Sequence, residues 1–181
     1  DMCAIMHMTR NIFKREMSKM KYLFMMRHAK SSWKNPSLAD HERPLNSRGK
    51  TDAPKMGHFI SSTGKIPGII LCSTAKRARQ TVDYFLQECP FDGEVIYRQN
   101  LYHGGLEDYW DELQLLDDAI ESAFIVGHNP GLEYAIEDLC GKYEIMPTSA
   151  IALIKLDISS WKDLNLETSG ELVSVFRPKE I

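Results

Sequence analysis

No stretch of this sequence stays apolar for the ~20 residues that a helical membrane span requires. A surplus of positive charge is also missing. The net charge is −3, with basic and acidic residues mixed along the chain, so there is neither a nucleic-acid-binding arm nor a polybasic membrane segment. Neither nucleic acid nor membrane is expected as a partner, and any anion site must draw its positive charge locally. Cysteine is sparse. Cys3, Cys72, Cys89 and Cys140 form no CxxC pair, which favours reduced thiols and a cytoplasmic location over a disulfide framework. Cys72 ends an apolar run, where a small buried thiol is the plain reading. The six histidines show neither HxH nor HExxH spacing, so no metal and no cofactor is expected. Internal repeats and low-complexity segments are absent, and with 43% apolar residues no window reads as disordered.

What is present suits one domain over residues 21–181. Residues 1–20 look foreign to it. They carry five methionines without tidy periodicity, and the apolar start from Met2 to Met6 is too short for a signal-peptide core. They read as an N-terminal extension or a cloning remnant, with Met17 and Met20 as candidate natural starts.

Apolar runs predict strands at 21–26, 68–72, 94–97, 123–127, 150–158 and 171–176. Helical spacing predicts helices over 47–61, over 73–87 with Ser73 as cap, over 106–120, and from Asn129 to Gly141 with Pro130 in the first turn. Pro54 pushes the start of the first helix toward Asp52. In the third, Leu115 is a possible inward position beside Leu106, Trp110, Leu113 and Leu116. Residues 31–45 are polar and proline-broken, hence a loop. Alternating strands and helices of this kind predict an α/β three-layer α/β/α sandwich on a mostly parallel central sheet. Ligands gather outside the carboxyl ends of such strands. Three polar motifs fall at three such ends: Arg27-His28, Ser73 to Arg77, and His128-Asn129.

An Arg-His dipeptide alone is weak, and a structural histidine is its commoner explanation. The combination is more specific. Met26-Arg27-His28-Ala29, Arg43-Pro44-Leu45-Asn46-Ser47-Arg48-Gly49, Ser73-Thr74-Ala75-Lys76-Arg77-Ala78-Arg79-Gln80-Thr81 and Val126-Gly127-His128-Asn129-Pro130-Gly131 occur in that order. Together they resemble the histidine phosphatase superfamily, whose fold is phosphoglycerate mutase-like. Ala29 after the Arg-His pair, with the second and fourth motifs, is most similar to its SixA-type phosphohistidine phosphatase branch. The resemblance covers residues 21–158, nearly the whole predicted domain. It implies a phosphatase acting through a phosphohistidine on His28, with Arg27, Arg77 and His128 as the other catalytic and substrate-binding residues. It also implies a phosphorylated substrate, most naturally a phosphohistidine-bearing protein.

The residue chemistry fits this. Phosphoryl transfer needs an in-line nucleophile and positive donors around the equatorial oxygens. A neutral histidine, its other nitrogen tied to a carbonyl, is such a nucleophile. Arg27 follows a buried strand, and a guanidinium suits bidentate phosphate contact. Arg77 lies near a helix start, where amides and dipole favour an anion. Lys76 and Arg79 compete for that role, although Arg79 is turned about 200° around the helix from Arg77. His128 is expected to donate to phosphoryl oxygens as an imidazolium, against a core or capping alternative. Ser31, Ser32 and Asn129 are candidates for the mouth, and Arg43 and Arg48 are equally ready to bind an acidic substrate or to form solvated ion pairs.

Phosphomonoesterases of the superfamily place a general acid in the segment before the middle helix. Here that segment holds Tyr102, His103, Glu107 and Asp108, with no carboxylate at the expected point. The two carboxylates read equally as helix-start residues favoured by the dipole. Alternatives to the phosphohistidine reading are a small-molecule phosphomonoesterase and a catalytically inactive phosphate-binding module. The latter has no need of His28. A mutase, which carries additional chain around the site, fits poorly.

Overall fold

A computed structural model describes residues 20–181; the expectations for residues 1–19, Cys3 included, lie outside the described residues. Six strands form one sheet: β1 (Lys21–Arg27), β2 (Ile69–Ser73), β3 (Glu94–Arg98), β4 (Ser122–Gly127), β5 (Ile151–Leu156) and β6 (Gly170–Phe176). Four helices accompany them: α1 (Ser47–Thr63), α2 (Lys76–Phe85), α3 (Leu106–Leu113) and α4 (Gly131–Cys140). The spatial order is β3-β2-β4-β1-β5-β6.

The sheet is mixed. β3, β2, β4 and β1 run parallel, whereas β5 pairs antiparallel with β1 and with β6. Only the short 3-10 turn Trp161–Asp163 lies between β5 and β6, so the chain has no crossover helix with which to return in parallel. The helices cover both faces. Leu23 and Met25 of β1 point into one core with Leu113 of α3 and Leu132, Ala135 and Ile136 of α4. Phe24 and Met26 point into the other with Met56 and Ile60 of α1 and Val82 and Phe85 of α2. This period-2 division of one continuous apolar run is what a strand buried on both faces requires. The three-layer α/β architecture read from the sequence is thus present, with an antiparallel edge added.

The helix over 47–61 opens where it was expected, and three other element ends differ from the sequence expectation. α1 begins at Ser47, where the Asn46 side chain caps the Gly49 amide at 3.0 Å, and it carries Pro54 inside it. The hydrogen bond that Pro54 cannot make falls to Lys50, which is exposed to water. Ser73 is the last residue of β2 and not a helix cap; α2 opens two residues after Thr74. α3 stops at Leu113, short of the expected residue 120; Leu115 lies 75% exposed, and in the turn beyond it the Asp117 carboxylate accepts the Ala119 amide at 2.7 Å. Asn129 does not cap α4; its amide donates to the Met146 carbonyl at 3.0 Å, and the helix opens at Gly131.

Candidate active site

The ends of β1, β4 and β2 lie side by side in register, with Arg27 opposite Gly127 and Cys72 opposite Val126. The residues that follow these strands are therefore brought to one point. His28 continues the ladder, its amide donating to the Gly127 carbonyl at 3.0 Å. Gly49 at the start of α1 packs against Lys30 so closely that a Cβ would overlap the Lys30 carbonyl, which closes the chain after His28 onto that helix.

His28 is 8% exposed, and both ring nitrogens are engaged. Nδ1 lies 2.7 Å from the Ala29 carbonyl, and Nε2 lies 3.2 Å from the Nε of Arg77. A carbonyl only accepts and a guanidinium only donates. The proton therefore sits on Nδ1, and the Nε2 lone pair faces the site. Burial first, and then the charges of Arg77, Arg27 and Arg43, push the His28 pKa down to about 3, outweighing the Ala29 carbonyl.

His128, 7% exposed, stands beside it with ring centroids 4.9 Å apart. Its Nδ1 is 3.3 Å from Nη2 of Arg77 and its Nε2 is 2.8 Å from Oγ of Ser73. By the same logic Nε2 holds the proton and Nδ1 accepts, so His128 is neutral in this state. Burial, with His28 and Arg77 nearby, lowers its pKa to about 2.

Arg77 is the hub. Besides the two imidazoles, its Nη1 donates to the Asp40 carbonyl at 2.6 Å and its Nη2 to the Asp40 carboxylate at 2.9 Å. Thr81, one turn along α2, accepts the Ala29 amide at 2.9 Å and donates to the Arg77 carbonyl at 2.6 Å, tying the helix to the loop that follows β1. Gln80 holds the same loop further on, accepting the Leu45 amide at 2.8 Å. Arg27 donates through Nη1 to the Met146 carbonyl at 2.9 Å, and its buried Nε has no partner. A buried guanidinium donor without an acceptor is costly.

The remaining candidates separate clearly. Lys76 and Arg79 are exposed, and Arg79 stacks on Tyr97 at 5.0 Å, away from the histidines. Arg43 is buried and reaches Asp40 at 2.5 Å, the Ser31 hydroxyl, and the Ser32 carbonyl at 3.2 Å. Arg48 points elsewhere, to Thr148 and Asp52. Tyr102 donates to the Asp40 carboxylate at 2.6 Å, and the His103 ring lies 4.0 Å from that of Tyr102. Glu107 is exposed, while Asp108 accepts the Gly105 amide at 2.9 Å at the start of α3. Sequence reasoning missed Asp40, which sits in an aperiodic loop three residues before the motif that opens at Arg43. Among the described residues there is no group of three or more His, Cys, Asp or Glu side chains placed to hold a metal ion, and Cys72, Cys89 and Cys140 are free thiols. No described helix is long and apolar enough to cross a membrane.

The depressed imidazole pKa values carry a consequence for stability. Unfolded histidine titrates near ~6.5. From about pH 6.5 down to about 3 the unfolded chain therefore binds protons that native His28 refuses, and stability falls as pH falls through that window. Replacing His28 and His128 with glutamine is expected to flatten this acid limb when urea unfolding is followed from about pH 4 to about pH 7. An unchanged slope would mean that both rings take up protons in the folded state.

The family model of the histidine phosphatase superfamily (branch 1) matches residues 23–109. An uncharacterised chloroplastic protein of Arabidopsis thaliana is 32% identical over 150 residues, covering 78% of this chain and 69% of that protein. A SixA structure from Nakamurella multipartitia superposes with a TM-score of 0.76 at 25% identity, covering 88% of this chain and 96% of that one. The protein histidine phosphatase SixA solved with tungstate gives 0.76 at 23% identity, over 88% and 98% of the two chains. The chain belongs to the histidine phosphatase superfamily, and its fold is that of the SixA structures.

Proposed function

We propose that this protein is a cytoplasmic phosphohistidine phosphatase that needs no metal ion or other cofactor, with His28 as nucleophile and a phosphohistidine-bearing protein as substrate. The observation that carries the reading is the pair of contacts on one ring: Nδ1 to the Ala29 carbonyl at 2.7 Å and Nε2 to Arg77 at 3.2 Å. They support a neutral nucleophile already aimed at the place where guanidinium groups would hold a phosphoryl group. In the first step the Nε2 lone pair forms a bond to phosphorus, the P–N bond to the substrate breaks, and its electron pair stays on the departing nitrogen. Arg27, Arg77 and a protonated His128 stabilise charge on the equatorial oxygens. In the second step water attacks phosphorus, phosphate leaves, and His28 regains its lone pair.

The SixA structure solved with tungstate bears the name protein histidine phosphatase, which favours a P–N substrate here. So does the absence of a free carboxylate in the segment before α3, because imidazole leaves more readily than an alkoxide and has less need of an acid. The test is a panel of phosphohistidine peptide, aryl phosphate and alkyl phosphate at equal concentrations in excess chelator. The expected order is phosphohistidine far above the alkyl ester, with the aryl ester between them. Equal rates on phosphohistidine and the alkyl ester would remove the substrate assignment, and activity restored only by added metal would remove the metal-independent mechanism.

A further inference from the structure

Asp40 is the acidic residue whose side chain touches the site, and it arises from the short turn Asp40–Glu42 in the loop between β1 and α1. Its carboxylate accepts from three donors: Arg43 at 2.5 Å, Tyr102 at 2.6 Å and Arg77 at 2.9 Å. Its side chain is 48% exposed, whereas His28, Arg77 and His128 are nearly closed off. It therefore stands at the mouth, between the phosphoryl-binding guanidinium and solvent. Resting on the assignment of His28 above, we propose that Asp40 determines specificity by accepting a hydrogen bond from a leaving group that carries a protonated nitrogen, so that the site selects phosphoramidates over phosphate esters.

The chemistry of the carboxylate points this way. The Tyr102 hydroxyl first, then Arg77 and Arg43, hold Asp40 well below the usual carboxylate range. Such a group has no proton to give to an alkoxide, and it can only accept. A phosphoryl oxygen arriving at Arg77 competes for Nη2 and frees a lone pair on Asp40 beside the departing atom. An ester oxygen brings negative charge toward that carboxylate as it leaves, which is repulsive. A phosphohistidine ring protonated on its distal nitrogen brings an N–H and a positive charge instead. When the P–N bond breaks, the electron pair remains on the leaving nitrogen, the ring becomes neutral, and the distal proton stays where it is. The reaction balances with no acid.

The experiment compares free N-phosphohistidine with p-nitrophenyl phosphate, whose phenolate leaves without a proton. Both kcat/KM values are measured for the parent and for Asp40→Asn. The ratio of phosphohistidine to aryl phosphate is expected to fall by about tenfold or more, the scale of one charge-assisted contact. Because both substrates are assayed on one preparation, a loss of folded protein cancels in the ratio, and Asp40→Ser reads the same ratio if the amide does not fold. A ratio that stays constant or rises overturns the proposal. So does a steeper dependence on leaving-group acidity across a series of aryl phosphates in Asp40→Asn, which would make Asp40 an acid. A parent protein that hydrolyses neither substrate would instead defeat the phosphatase reading itself.

Discussion

Replacing His28 with alanine is expected to remove turnover by roughly 10⁴-fold or more, the scale seen when a covalent nucleophile is deleted from a preformed site. The same change should leave oxyanion binding largely in place, because Arg27, Arg77 and His128 reach the site from their own anchors. Arg27 is held by the Met146 carbonyl and His128 by Ser73. The two readouts therefore separate. Brief exposure of the parent to labelled substrate, followed by quenching without acid, should trap an acid-labile, base-stable phosphate, and His28→Ala should trap none while still binding vanadate. Label that persists in His28→Ala would place the intermediate on another residue. Lost vanadate binding together with lost turnover would show instead that the ring supports the site's architecture.

Much of the fold was legible because the signals are local. An apolar run such as that of β1, divided between two cores by alternate residues, reads as a strand buried on both faces, and the helices show their stripes. The mixed sheet was less legible, since nothing within β5 records which way its neighbour runs. The start of α1 at Ser47 was legible, whereas the helix expected over 106–120 ends at Leu113. Arg77 was preferred over Arg79 because the resemblance aligns it and helix geometry turns Arg79 away; in the structure Arg77 contacts His28, and Arg79 stacks on Tyr97. Asp40 was illegible for a different reason. Its position depends on Arg43 and Arg77, residues 3 and 37 positions away, and on Tyr102, 62 positions away, so no window of sequence contains the arrangement.

Arg77→Ala is expected to cost roughly 2–4 kcal/mol in kcat/KM, the range for losing one donor to a charged transition state. Arg77 touches His28, His128 and Asp40, so its loss acts in three ways at once. The equatorial oxygens lose a guanidinium. The Nε2 of His28 and the Nδ1 of His128 lose the donor that faces them. Asp40 loses one of its two cationic partners, and its charge is then less offset beside an incoming dianion. Vanadate should accordingly inhibit the variant less well, since its five-coordinate form resembles the in-line transition state and depends on the same donor. The pH profile should move as well. The positive charge of Arg77 helps to hold the His28 pKa down, so removing it raises that pKa and shifts the acid limb of kcat/KM upward in pH. Arg79→Ala, which alters an exposed side chain stacked on Tyr97, should change none of these quantities appreciably. A larger loss in Arg79→Ala than in Arg77→Ala would show that the wrong arginine has been assigned to the phosphoryl group.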